Sequence, residues 1–307
     1  MSDCYEIYGY TCTKECRFDG YSITPVFDDA LTVSKIAADK NNYRLTGWLR
    51  VEDDFNVQGP KREEFLFNLE GVLTFIERQD VIINRVPVEI NSGNLDDKKF
   101  RAYSSRWTLG PLFSLNTDDI RSEIIFLLMC ELEYGEHFEV FKTALFKTIE
   151  FYRMKKSYID VDYYLLFSAI ESLSRAHQNE TETDNSVEKV LCCFIRIDCG
   201  FSSFSQNPSK INYTFHPTNK ESVHILLDGE VRQLIESTSS YAHVRNALVH
   251  NGALYEDVNV NGLTVRFKLI DFYPYLRKLV PLVLIKYAGF SNKNARWDCW
   301  KDLFEFI

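Results

Sequence analysis

The chain has 307 residues, of which 45% are hydrophobic and 26% charged, a balance that excludes a disordered protein and leaves room for two ordinary domains or one large one. A net charge of −9 argues against indiscriminate nucleic-acid binding, which needs a basic footprint, although a small positive cleft can sit on an acidic body. The longest apolar runs, 124–130 and 279–285, are too short to span a bilayer, so no membrane association is expected. The N-terminus carries neither the basic flank nor the apolar run of a signal peptide, and the expected location is cytoplasmic.

Eight cysteines over this length, in a reducing compartment, read as buried thiols. Cys4, Cys12 and Cys16 form one loose group and Cys192, Cys193 and Cys199 another. Neither has the paired Cys-x-x-Cys spacing of a structural zinc site, so no metal and no cofactor are expected.

In chain order, residues 1–115 mix strand-like stretches with ambiguous ones. Segments 21–27, 43–51, 86–90 and 100–109 are rich in β-branched and aromatic residues and are bounded by Asp, Asn, Gly and Pro, which predicts strands. From Arg44 to Val51 polar and apolar side chains alternate, as in a half-buried strand. The segment 64–78 fits a helix by the spacing of Phe65, Leu69, Val72 and Ile76, but its run 72–76 fits a strand equally well. No catalytic constellation stands out here, and the region reads as a β-rich accessory or sensor domain.

The pattern turns helical near Leu115. Thr117-Asp118-Asp119 opens a helix that Gly135 ends, with Ile120, Ile124, Leu127, Leu128 and Leu132 along it. A second helix carries Phe138, Phe141, Leu145, Ile149 and Tyr152, and a third runs from about 160 to 177 with Tyr163, Phe167, Ile170 and Leu173 on one face. Residues 178–220 read as an irregular insertion, with a polar loop, a helix over 187–197 and a Ser/Asn/Pro-rich stretch over 200–219. Helix resumes over 221–227 and 229–237, and again from about Ser239 to the helix-ending pair Asn251-Gly252. A short hairpin or an extended loop over 258–265 with a turn at Asn261-Gly262, a long helix over 272–287 kinked at Pro281, and an amphipathic segment over 297–304 complete the chain. The expected fold class is α+β: a C-terminal α-helical bundle over 116–307 preceded by the β-rich domain.

The familiar chemical signatures are missing from the sequence. There is no Gly-x-Gly, no Gly-Lys-Ser/Thr, no His-Glu-x-x-His, no Gly-x-Ser-x-Gly and no His-x-Glu with a Cys-x-x-Cys. What remains is Arg245-Asn246-Ala247-Leu248-Val249-His250. His243, Asn246 and His250 stack along one helix face, while Arg245 leaves the helix about 140° around from His250. Such a set suits RNA cleavage by the substrate's own 2′-hydroxyl. An imidazole moves the proton, a guanidinium holds the charge building on phosphate oxygens, and an amide orients either. By spacing alone the plainer reading, a helix-capping histidine and a surface arginine, outweighs the catalytic one.

The segment 245–250 resembles the Arg-x4–6-His signature of the HEPN superfamily, including the polar residue after the arginine. Tyr164-Leu-Leu-Phe-Ser-Ala-Ile-Glu171-Ser-Leu173 resembles an early helix of the ApeA-like branch, and the resemblance covers about 117–289. It implies a helical bundle that dimerises so that two Arg/His pairs line one composite cleft. It further implies metal-independent endoribonuclease activity on RNA, used as a prokaryotic toxin or antiphage effector. Arg245 and His250 would then be catalytic with Asn246 in support, and His243 lies on the same face. Glu171 either anchors Arg245 or is a solvent-facing helix charge. The N-terminal domain would bind a trigger or an inhibitor. The position two after the histidine, a modifiable tyrosine in some of these toxins, is Gly252 here. The alternative is a catalytically silent module of the same fold that binds a protein or nucleotide partner.

Overall fold

The computed structural model describes residues 3–37, 42–52, 55, 60–89, 99–101, 118–154, 158–177, 214–215, 239–260 and 263–290. The expected elements over 187–197, 221–237 and 297–304 lie outside them, as do most of 100–109 and of the 178–220 insertion. The described elements mix helix with antiparallel sheet, an α+β composition. Among the described residues, no helix is long and apolar enough to cross a membrane. The chain divides into two compact units, Met1–Phe138 with Ile149–Lys156, and Glu139–Thr148 with Ser157–Ile307.

The first unit is built on strands β1 (Asp3–Tyr8), β2 (Cys16–Phe18), β3 (Tyr21–Pro25), β4 (Asn42–Val51), β5 (Ile82–Ile83) and β6 (Lys99–Arg101). Their order is β2-β3-β4-β1-β5, with β6 also paired to β4. Strand β1 runs antiparallel to β4 from Asp3 opposite Val51 to Ile7 opposite Gly47, and a bulge then puts Tyr8 opposite Leu45. The extra residue, Thr46, donates its hydroxyl to the Ile7 carbonyl at 3.3 Å, while its own carbonyl accepts from the Val26 N–H at 2.9 Å. Cys4, Tyr8, Leu45 and Trp48 form a buried cluster, with Val26, Ile82 and Val88 packed against it.

Helices α1 (Ala30–Ala37), α2 (Pro60–Glu77) and α3 (Asp118–Tyr134) complete this unit, with the last turn of α4 (Phe138–Arg153). Asp29 caps α1 by accepting the Thr32 N–H at 2.8 Å, a start signal present in the sequence. The ambiguous run 72–76 belongs to α2. Every residue from Gly71 to Glu77 is buried, so no polar face interrupts the run to reveal a helical period. Segment 86–90, expected as a strand, forms none among its described residues 86–89. Pro87 has no N–H to continue a ladder, and Val88 makes one backbone bond, to the Cys4 carbonyl at 2.8 Å. The paired strand lies just before it, at β5.

Two charges lie at the centre of this unit. Arg121 on α3 is wholly buried and donates Nη2 to the Glu77 carboxylate on α2, whose side chain is 1% exposed. Glu77 also accepts the Thr11 N–H at 3.0 Å and its hydroxyl at 2.8 Å. Arg121 sits 5.0 Å from the Tyr10 ring. Burial alone would lower its affinity for a proton, but the Glu77 charge, the neighbouring Tyr10 and Cys12 groups and the hydrogen bond to Glu77 together outweigh this and hold Arg121 above its ordinary range.

The second unit contains the first three turns of α4, helices α5 (Ile159–His177), α6 (Ser239–Asn251) and α7 (Leu269–Tyr287), and strands β7 (Thr214–Phe215), β8 (Tyr255–Val260) and β9 (Leu263–Lys268). The strands form a sheet in the order β7-β9-β8, and of the two readings of 258–265 the hairpin is the one formed, β8 pairing with β9 from Tyr255 opposite Lys268 to Val260 opposite Leu263. Arg266 spans the hairpin to Asp257 at 2.7 Å and lies 4.1 Å from the Tyr255 ring. Helices α5 and α7 pack together; Tyr163, Leu166, Phe167 and Ile170 on one and Phe272, Leu276, Leu279 and Val283 on the other are all buried. A buried hydrogen bond from the Tyr273 hydroxyl to Asp162 at 2.8 Å fixes their register. Helix α7 runs through both Pro274 and Pro281 and ends at Gly289, whose φ of 91° lets the Phe290 N–H turn back to the Ile285 carbonyl.

Candidate functional site

Helix α6 carries the Arg-Asn-x-x-x-His segment. Val244 and Ala247 are buried and set its inward face, which packs on α5 and on the β8–β9 hairpin. The helix ends where the sequence places its stop. Gly252 adopts φ 62°, its N–H bonds the Leu248 carbonyl at 3.0 Å, and the next N–H, of Ala253, bonds the Ala247 carbonyl at 3.2 Å. Two of the helix's terminal carbonyls are thereby satisfied. His250 is exposed in the last turn, where the helix dipole attracts cations.

Arg245 points toward α5. Its Nη2 donates to Glu171 Oε1 at 2.8 Å, and its guanidinium carbon lies 5.1 Å from the Phe167 ring centre. Only 15% of the Arg245 side chain is exposed, and its buried Nε has no partner among the described residues. The carboxylate oxygen that holds Arg245 also accepts Nη2 of Arg175, one turn along α5, at 2.9 Å. On α4, Lys147 donates to Ser172 Oγ at 3.4 Å. Burial lowers the Lys147 pKa, and the nearby Glu171 charge partly opposes that shift. Three cations thus gather about one carboxylate.

The other residues read from the sequence divide between two settings. His243 faces the hairpin, with Nδ1 3.4 Å from Glu256 Oε2 and its ring 6.5 Å from that of Phe267 at 18° to it. Asn246 is half-buried, and neither it nor His250 has a side-chain partner among the described residues. Glu171 and Arg245 are therefore brought together, whereas His243 is engaged with the hairpin. Arg245 and His250 leave α6 about 140° apart and about 7.5 Å apart along its axis.

Arg175 and Lys147 escaped the sequence reading. Arg175 had a signal, being four residues after Glu171 on one helix. Lys147 had none, because only packing of α4 in this unit brings it to Glu171. Among the described residues, no group of three or more His, Cys, Asp or Glu side chains gathers as a metal site. Compared with protein-family models, curated proteins and solved structures, the chain matches none.

Proposed function

We propose that the α5–α6 surface is the active site of a metal-independent endoribonuclease of the HEPN type, carried on a C-terminal helical bundle. The observation that supports this most is the Glu171–Arg245 link at 2.8 Å, which fixes a half-buried guanidinium one helical turn and a half from an exposed imidazole. In this reading the substrate's 2′-oxygen attacks the adjacent phosphorus and the bond from phosphorus to the 5′-oxygen breaks. One proton leaves the 2′-hydroxyl and another reaches the departing 5′-oxygen, giving a 2′,3′-cyclic phosphate and a 5′-hydroxyl. His250 carries one of these protons. The Arg245 donors not used by Glu171 stabilise the charge on the non-bridging oxygens. Asn246 orients phosphate or imidazole. Because the Arg and His diverge on one helix, two copies of the chain would supply one Arg/His pair each to a shared cleft. A toxin or antiphage role in the cytoplasm, with the first unit restraining or triggering the nuclease, fits that chemistry.

A second reading is favoured by one observation: much of the Arg245 charge is already matched by Glu171, and the side chain is only 15% exposed. A catalytically silent module that binds a protein or nucleotide partner would keep the same pair for structure alone. The two readings separate on RNA cleavage in EDTA with end-group analysis. The nuclease predicts cyclic phosphate ends and a loss of at least about a hundredfold for His250→Ala or Arg245→Ala, the scale of a lost general acid–base or charge-stabilising group. Cleavage untouched by both substitutions refutes the assignment, and a folded protein without cleavage supports the silent module.

A further inference from the structure

Two guanidiniums share one carboxylate oxygen between α5 and α6. Arg245 and Arg175 both donate Nη2 to Glu171 Oε1, at 2.8 and 2.9 Å. Lys147 on α4 brings a third positive charge near the same carboxylate. Gathering like charges is unfavourable, and one carboxylate relieves it only in part, so a further anion is attracted there. The cations are within reach of one. Half of the Arg175 side chain is exposed, against 15% of that of Arg245. Lys147 is half-buried, and among the described residues its ammonium donates one long hydrogen bond, to Ser172 Oγ at 3.4 Å. An ammonium held partly out of water beside a single hydroxyl costs stability, and an incoming anion offsets that cost.

We propose that Arg175 and Lys147 bind a backbone phosphate of an RNA strand, next to the phosphate that Arg245 holds. The inference rests on the nuclease reading and adds to it the residues that position the strand. A phosphodiester carries two non-bridging oxygens, which the fork of Arg175 and the ammonium of Lys147 can hold together. The cluster spans about one turn of α5, the scale of one or two phosphates of a single strand and not of a duplex groove. It is a small positive site on a chain of net charge −9, so binding is local and sensitive to salt. A contact to the backbone reads no base, and the site is indifferent to sequence.

The test is fluorescence anisotropy of the full chain with a short 2′-O-methyl RNA, which lacks the attacking hydroxyl, over a range of salt. Losing one phosphate contact from a single strand lowers the slope of log affinity against log salt by about 0.7, or about fivefold in affinity near 0.1 M salt. Arg175→Gln and Lys147→Met are each expected to show that loss, alike for different base sequences. Arg175→Lys keeps the charge and should keep the slope. Lys61→Met, which removes an exposed charge from α2, should leave the slope unchanged. A slope unchanged in either Arg175→Gln or Lys147→Met overturns the proposal. So does an equal drop in Lys61→Met, which would reduce the effect to net charge, or the absence of RNA binding at low salt. Poly-glutamate bound as tightly as RNA overturns it in favour of an acidic protein partner. Cleavage that persists while both slopes stay unchanged sinks this site and spares the nuclease reading. The expected slopes without any cleavage keep the site and refute the nuclease.

Discussion

Removing the charge from Arg121 tests the central packing of the first unit. Its guanidinium is wholly buried against Glu77, which in turn holds the Thr11 N–H and hydroxyl. Breaking a buried pair by deleting one partner leaves an uncompensated charge and costs about 3–5 kcal/mol. Arg121→Met keeps the side chain long and apolar but strands the Glu77 carboxylate among buried groups, so a loss in that range is expected. With a urea slope of about 2 kcal/mol/M, the unfolding midpoint falls by roughly 1.5–2.5 M. Hydrogen exchange in peptides from β1 and α2, followed across urea, reports this unit's own transition. The pairing Glu77→Gln with Arg121→Met removes both charges while an amide oxygen still accepts from Thr11. It should recover most of the loss and lie within about 1–2 kcal/mol of the unmodified chain. The reasoning is refuted if Arg121→Met costs under about 1 kcal/mol, or if the double change is as damaging as the two single changes added together.

Other expectations follow from the second unit. Gly252→Ala should cost about 1–2 kcal/mol, because φ is 62° there and a Cβ meets nothing within 4 Å, so the penalty is purely that of a left-handed backbone. Gly252→Asn should cost less, and equal melting temperatures for Gly, Asn and Ala would show that α6 does not need this ending. Lys147 is held below its ordinary 10.5 by burial, with Glu171 opposing. A lysine depressed on folding destabilises fully below its folded pKa, and the penalty fades as pH rises toward its unfolded value. Lys147→Met should therefore be neutral or stabilising at pH 7, with the two melting curves converging near pH 10. A clear loss of stability at pH 7 would mean that Lys147 contributes more through its contacts than it costs in desolvation.

Much of the chain's local structure is legible without coordinates, for reasons visible at particular residues. Asp118 at the start of α3, Gly135 after its end and Gly252 after α6 punctuate helices by backbone preference, and α4 and α5 follow from aromatic and aliphatic side chains at helical spacing. The turn of the β8–β9 hairpin is marked by Asn261-Gly262, although that pair alone does not tell a hairpin from an extended loop. Legibility fails where burial is complete. Strand β1 reads as an ordinary N-terminus because its residues from Cys4 to Tyr8 are all buried, which erases the alternation that marks a half-exposed strand. The second half of α2 hides its period in the same way.

Sequence by itself determined the α+β composition, the limits of α6 and the residue types at 245–250, since all three depend on local preference and spacing. Glu171 could be named as a partner for Arg245, but the choice between anchor and solvent-facing charge stayed open in the sequence. Packing of α5 against α6 decided for a direct contact at 2.8 Å across 74 residues of chain. Packing likewise brought Lys147 near the same carboxylate, turned His243 onto the hairpin, and buried Arg121 against Glu77 and Thr11. These outcomes are contacts between elements far apart in sequence, and spacing along one helix carries no information about which neighbour a side chain meets.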